Sequence, residues 1–253
     1  MIKNLAAVTL LAACAQAASA APTTVTIGTL TTYFGENTNA DGKVSGDPVT
    51  ARTAFTGAVT SGSTTVETFE TAASGPVTSL PVFSGGATLT PDDDAYASIQ
   101  DTPGAPFGRF NTTDGGAQYY EGTLGFTVCF GSSSFSAFGF YGTDFGDFGA
   151  SVSLQLLQGT ACGTDVGKPL DIMFSDGGTQ NSSLLFFGFT DTAVNYTGVR
   201  FLVTQSSDDP DGLGFDDLII GTAKPPNPAP EPGTLALVGA SLLGLVAARR
   251  RRR

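Results

Sequence analysis

The side chains able to do chemistry in this chain are nearly all carboxylates. Asp and Glu number 23 against 12 Lys and Arg, and there is no His and no Trp. Without histidine, neither a Ser-His-Asp nor a Cys-His nucleophile can be assembled within the chain. Zinc, copper and haem sites, which draw on His or Cys, are disfavoured for the same reason. Carboxylates leave two chemistries: hard oxygen ligation of calcium, or hydrolysis of a glycosidic bond by two facing acids. Glu70 follows Phe69 near the start of a strand-rich stretch, and Asp216-Asp217 follow Phe215 near its end. In a jelly roll the first and last strands are neighbours. Glu70, Asp216 and Asp217 would then meet at one sheet edge and form a candidate calcium site. The alternative is that they are solvated edge charges, which discourage edge-to-edge pairing.

Other acidic stretches are less specific. Asp92-Asp93-Asp94 and Asp208-Asp209-Pro210-Asp211-Gly212 read as solvated turns. Among so many acids no catalytic pair stands out, and no catalytic residue is assigned. The run Asn37-Thr38-Asn39-Ala40-Asp41-Gly42 resembles the start of an EF-hand loop, with oxygen ligands at alternate positions and a glycine at the sharp turn. The pattern fails at the twelfth position, where Pro48 stands in place of a bidentate Glu. An Asn/Asp/Gly turn is the competing reading.

These residues must be positioned by β-structure. Residues 23–33 alternate as one strand, with Val25, Ile27, Thr29 and Thr31 on one side. Short strands follow at 65–69, 87–89, 95–99, 118–130, 134–141, 151–157, 170–174, 183–189, 197–204 and 215–221, separated by Gly, Pro, Asp and Ser. Such spacing indicates a sandwich rather than a parallel sheet. One soluble helix is expected from Asp47-Pro48, with Asp47 as N-cap and Ala51, Ala54, Phe55 and Ala58 at helical spacing. The fold class is therefore all-β, a jelly-roll-like sandwich with one short N-terminal helix. The aromatic band Phe135, Phe138, Phe140, Tyr141, Phe145 and Phe148 reads as core packing, with a sugar-contacting surface as the rival. Cys129 and Cys162 form an even pair that reads as a disulfide in an oxidising compartment, stabilising by about 3–4 kcal/mol in the chain-entropy model. Two buried thiols are the alternative.

The two ends carry addresses. Lys3 and the apolar residues 5–13, followed by Ala18-Ser19-Ala20, read as a signal peptide cleaved after Ala20. Leu11-Ala12-Ala13-Cys14 offers a rival lipoprotein box. At the far end Pro230-Glu231-Pro232 is followed by an uncharged run to residue 248, then by Arg249, Arg250, Arg251, Arg252 and Arg253. The run reaches roughly 25 Å as a helix, short against a hydrocarbon core of about 30 Å. The arginines keep their end cytoplasmic. Between the signals, residues 21–230 carry six basic residues and 22 acidic ones, a net charge near −16. That balance argues against nucleic acid or an anionic membrane surface as partner. The division is then signal peptide 1–20, N-terminal extension 21–63, β-sandwich 64–221, proline-rich stalk 222–229 and C-terminal signal 230–253.

The order Pro-Glu-Pro, apolar helix and arginine cluster resembles the PEP-CTERM sorting signal of Gram-negative bacteria. The resemblance implies a membrane protease of the exosortase type as partner, transient anchoring in the inner membrane, and a final location at the cell surface or outside the cell. The runs Phe107-Gly108-Arg109-Phe110-Asn111-Thr112-Thr113, Ala137-Phe138-Gly139-Phe140-Tyr141-Gly142-Thr143-Asp144 and Gly214-Phe215-Asp216-Asp217-Leu218 look like ectodomains that precede such tails. The candidate site at Glu70, Asp216 and Asp217 is similar to the structural calcium site of carbohydrate-binding jelly rolls. The resemblance implies exopolysaccharide-producing, biofilm-forming hosts. The expected function is a non-enzymatic surface or matrix module associating with polysaccharide, with structural calcium as the one cofactor considered. A coat or adhesion protein acting by protein–protein contacts is the alternative.

Overall fold

The computed structural model describes residues 22–92, 95–101, 106–146, 149–175, 182–205 and 211–226. The signal peptide with its cleavage site at Ala18 and Ala20, the lipoprotein box, the sorting signal 230–253, Phe148 and residues 93–94 and 208–210 lie outside them. Among the described residues no helix is long and apolar enough to cross a membrane.

The elements in chain order are β1 (Thr23–Ile27), β2 (Leu30–Asn37), α1 (Asp47–Gly57), β3 (Thr65–Glu67), β4 (Gly75–Pro76), β5 (Leu80–Val82), β6 (Ala87–Pro91) and β7 (Ala97–Gln100). There follow β8 (Tyr119–Gly122), β9 (Phe126–Cys129), β10 (Ala137–Thr143), β11 (Ser151–Gln158), β12 (Thr164–Ile172), β13 (Leu184–Asp191), β14 (Gly198–Thr204) and β15 (Leu213–Gly221). They form two antiparallel sheets. The first runs β1-β2-β13-β10-β15-β8-β7-β4, with β3 also pairing β15. The second runs β12-β11-β14-β9-β6-β5.

Two stretches that alternate like single strands are each broken in two. The run 23–33 folds back at Gly28, whose φ of +65° opens a tight turn, so that Thr23 pairs Phe34 and Ile27 pairs Leu30. The run 118–130 changes sheets: β8 pairs β15 in the first, and β9 pairs β14 in the second. The N-terminal elements join the first sheet. β2 pairs β13 along its whole length, and α1 lies against that pair.

Both faces of the first sheet are covered. Toward the second sheet the core is aromatic, with Phe126 stacked on Phe201 at 4.2 Å and Phe140 edge-on to Phe201 at 4.9 Å. Phe135, Phe138, Phe140 and Phe145 belong to this layer, so these members of the aromatic band are core. On the opposite face Phe55 of α1 packs against Tyr33 and Phe186, with Tyr141 in the same cluster. Gly188 makes room for it, since a Cβ there would lie 2.9 Å from the Phe55 ring. The helix starts differently from expectation. Gly46 is the N-cap, with no side-chain cap, and Asp47 instead opens the first turn beside Pro48. The Asp47 carboxylate there still faces the positive end of the helix dipole. The Asn37 stretch is a turn closed by Asn39 N–H donating to Asn37 Oδ1 at 3.1 Å. Cys129 and Cys162 are disulfide-bonded with Cα atoms 5.8 Å apart, tying β9 to the β11–β12 turn.

Candidate functional site

The early and late strands do meet. β3 pairs β15 with Glu67 opposite Leu218 and Thr65 opposite Ile220. Just beyond this junction the register of β15 against β10 slips between Gly139 and Tyr141, and Asp217 takes a left-handed φ of 47°. In a regular strand consecutive side chains point to opposite faces. The bulge at Asp217 re-aims them, so that both aspartates reach the same segment. Thr112 donates its N–H (2.7 Å) and its hydroxyl (3.0 Å) to Asp216 Oδ2. Thr113 donates its hydroxyl to Asp217 Oδ1 at 2.8 Å. Glu70 holds the other end of that segment. Its Oε1 accepts from Asn111 Nδ2 (2.7 Å) and from the N–H groups of Ala117 and Gln118, both at 2.9 Å.

Glu70, Asp216 and Asp217 are thus brought to one loop, residues 111–118, where their oxygens meet its N–H and O–H groups. Calcium takes six to eight oxygens, whereas these carboxylates face N–H and O–H donors. Among the described residues no group of three or more Asp, Glu, Cys or His is arranged to hold a metal ion. Gly116 shows how tightly the loop is drawn in, because a Cβ there would lie 2.2 Å from Glu70 Oε1. Burial, with Asp217 beside it, pushes the Asp216 carboxyl up to about 8, against the opposing pull of the Thr112 and Asp217 donors.

The anchored loop forms one wall of a cleft of about 920 Å³. Lys43, Val44 and Arg52 line it from the helix side, and Val66 from β3, with Thr113 and Asp114 on the loop. Arg52 sits 3.3 Å from Asp217 Oδ2 and over the Tyr141 ring at 5.2 Å. Lys43 lies 3.9 Å from Asp41. Two cations and the acids Asp114 and Asp217 leave the lining balanced in charge, in a chain that is otherwise strongly acidic. The rest of the lining mixes the polar side chains of Thr68, Asn111, Thr112 and Thr113 with apolar Val44, Val66 and Phe110.

A second polar cluster escaped the reading of the sequence. Buried Arg109 lies 3.1 Å from both Asp144 Oδ2 and Asp211 Oδ1, and 3.3 Å from Glu121 Oε1. It also donates to the Gly212 carbonyl at 3.0 Å. Burial raises the Glu121 carboxyl, and the Arg109 charge opposes it. Asp211 is therefore part of an internal ion cluster rather than a solvated turn. The signal available beforehand was a lone arginine between Phe107 and Phe110 in an acidic chain.

Residues 228–252 match the PEP-CTERM protein-sorting motif. The chain thus carries a sorting signal at its C-terminal end, which implies export, surface sorting and exosortase processing. No curated protein matches it. Among solved structures it is similar to the K2 cleaved adhesin domain of Lys-gingipain, at 14% identity and a TM-score of 0.40, over 62% of this chain and 97% of that one. It is also similar to the CBM22-1 xylan-binding domain of Xyn10C from Paenibacillus barcinonensis, at 11% identity and a TM-score of 0.34, over 63% and 95%.

Proposed function

We propose that this is an exported, non-enzymatic cell-surface module that contacts extracellular polysaccharide through the cleft between α1 and loop 111–118. The observation that carries the reading is the composition of that cleft. Its charges are balanced, and its lining sets the hydroxyls of Thr68 and Thr113 and the ion-paired Arg52 beside apolar Val44 and Val66, which suits a hydroxyl-rich neutral ligand better than a polyanion. The wall is rigid before any ligand arrives, because three carboxylates hold the loop by its own donors, and preorganisation lowers the entropic cost of binding. The same use of Glu70, Asp216 and Asp217 supports a non-catalytic role. The export and surface sorting that the signal implies support a role among extracellular polymers. The sandwich is jelly-roll-like, and the tail is removed after sorting.

Affinity electrophoresis of the purified protein in gels containing the host's own polysaccharide tests the reading. Retardation by the native chain, reduced at least tenfold in Arg52→Ala and Asp114→Ala, is expected. Equal mobility with and without polysaccharide would overturn it.

A further inference from the structure

The two sheets end in strands with open hydrogen-bonding edges, and most of those edges are protected. β4 has two residues, including Pro76, and β5 has three, centred on Pro81. β3 has three residues and ends in Glu67. β12 is long, but it carries Asp165, Lys168, Pro169 and Asp171, and its register against β11 slips at a bulge. Short length, proline, charge and bulges are the devices that keep sheet edges from pairing with other chains.

β1 has none of them. Its sequence Thr-Thr-Val-Thr-Ile has no charge and no proline, and all five residues are exposed. It pairs β2 in unbroken register on one side and has no partner among the described residues on the other. Val25 is 51% and Ile27 74% exposed. They share a face with Leu30 and Phe34 of β2, which pack against the main core, so the apolar surface of the first sheet runs outward past its cover.

We infer that β1 is a self-association edge, and that its occupant is β1 of a second copy of this chain, paired antiparallel about a two-fold axis through Val25. The pairing is self-complementary. Val25 faces Val25, each Thr24 faces Thr26, and each Ile27 faces Thr23, with the β-branched side chains on matching faces. Charge favours the same place. Copies of a chain near −16 between residues 21 and 230 repel one another, and residues 22–34 form an uncharged ribbon along which they can approach. A five-residue ribbon is smaller than the roughly 1,200–2,000 Å² of a stable complex. Association is therefore weak in dilute solution and significant where copies are crowded on a surface. The inference is independent of the polysaccharide reading.

Cysteine cross-linking of the full chain in its host envelope tests it. Val25→Cys is expected to give a disulfide-linked dimer on mild oxidation, with Cys129–Cys162 retained in peptide maps. Thr24→Cys alone is expected to cross-link several-fold less, because its Cα would stand beyond disulfide reach of its twin. Thr24→Cys and Thr26→Cys expressed together are expected to restore the dimer, and adding Val25→Lys to that pair to abolish it. A monomeric Val25→Cys would overturn the inference. So would Thr24→Cys cross-linking as well as Val25→Cys, or Val25→Cys trapping a different protein.

Discussion

Glu70 accepts the backbone N–H of Ala117 through both carboxylate oxygens, at 2.9 and 3.1 Å, from 47 residues away in sequence. One carboxylate thereby fixes the far end of the cleft wall. Removing it in Glu70→Ala strands several loop donors, at an expected cost of about 3 kcal/mol. Urea denaturation should show that loss, and limited proteolysis should show new cleavage within 111–118. Glu70→Gln, which keeps an acceptor, should lose about half as much.

These carboxylates accept from donors of the loop, and folding is expected to proceed without calcium. Chelation should leave the melting temperature of the purified protein unchanged. An ion at a hundredfold excess over its Kd would contribute about 2.7 kcal/mol, so a fall of several degrees with EDTA, reversed by added calcium, would contradict this.

Asp216 gives a pH signature. Its carboxyl is raised by burial and by Asp217 to about 8 in the folded protein, from an ordinary 3.8. Between those values the folded state holds a proton that the unfolded chain has released. Stability contributed by that proton is present at low pH and is lost as pH rises toward 8, with a slope of at most about 1.4 kcal/mol per pH unit. Denaturation midpoints measured from pH 5.5 to 7.5 should therefore decline. Asp216→Asn should flatten the decline, and an unchanged slope in that variant would refute the assignment.

Phe55 is the anchor of α1, wholly buried between Tyr33 and Phe186. Phe55→Ala should cost about 3–5 kcal/mol. Hydrogen exchange should quicken in α1 and β2 before the sandwich core, since the helix covers only one face of the first sheet.

The Cys129–Cys162 pair closes a loop that contains β10 and β11. Replacing both by Ala should lower stability by about 3–4 kcal/mol, read as a shift in the urea midpoint without a large change in slope.

Legibility from sequence followed the range of the interaction concerned. The helix around Phe55, the pairing of the two exported cysteines and the burial of Phe135, Phe138 and Phe140 rest on local spacing or simple counting, and they were readable. That the stretches bearing Glu70 and Asp216-Asp217 lie near one another was readable too, because β3 pairs β15. Their chemistry was not. A bulge at Asp217 and a loop presenting N–H and O–H groups give these acids their hydrogen-bond donors, and nothing in the spacing of the acids reveals the donors they will meet. Hairpin formation at Gly28 and the sheet change between β8 and β9 escaped for a related reason. Alternation reports which side a residue faces, not which strand lies beside it. Arg109 and Asp211, a hundred positions apart, carry no pairing signal at all.

The pairing of β3 with β15 sets a schedule for the whole chain. A polypeptide threaded across a membrane from its N-terminal end delivers β1, β2 and β3 early, yet β2 must wait for residues 184–191 and β3 for residues 218–220 before its ladder can close. Contacts so distant in sequence form slowly. Through that interval the first hairpin, uncharged from residue 22 to 34, is exposed without its sheet, beside other chains in transit. The acidic excess of the remaining sequence sets like-charge repulsion against their contact until the last strand arrives.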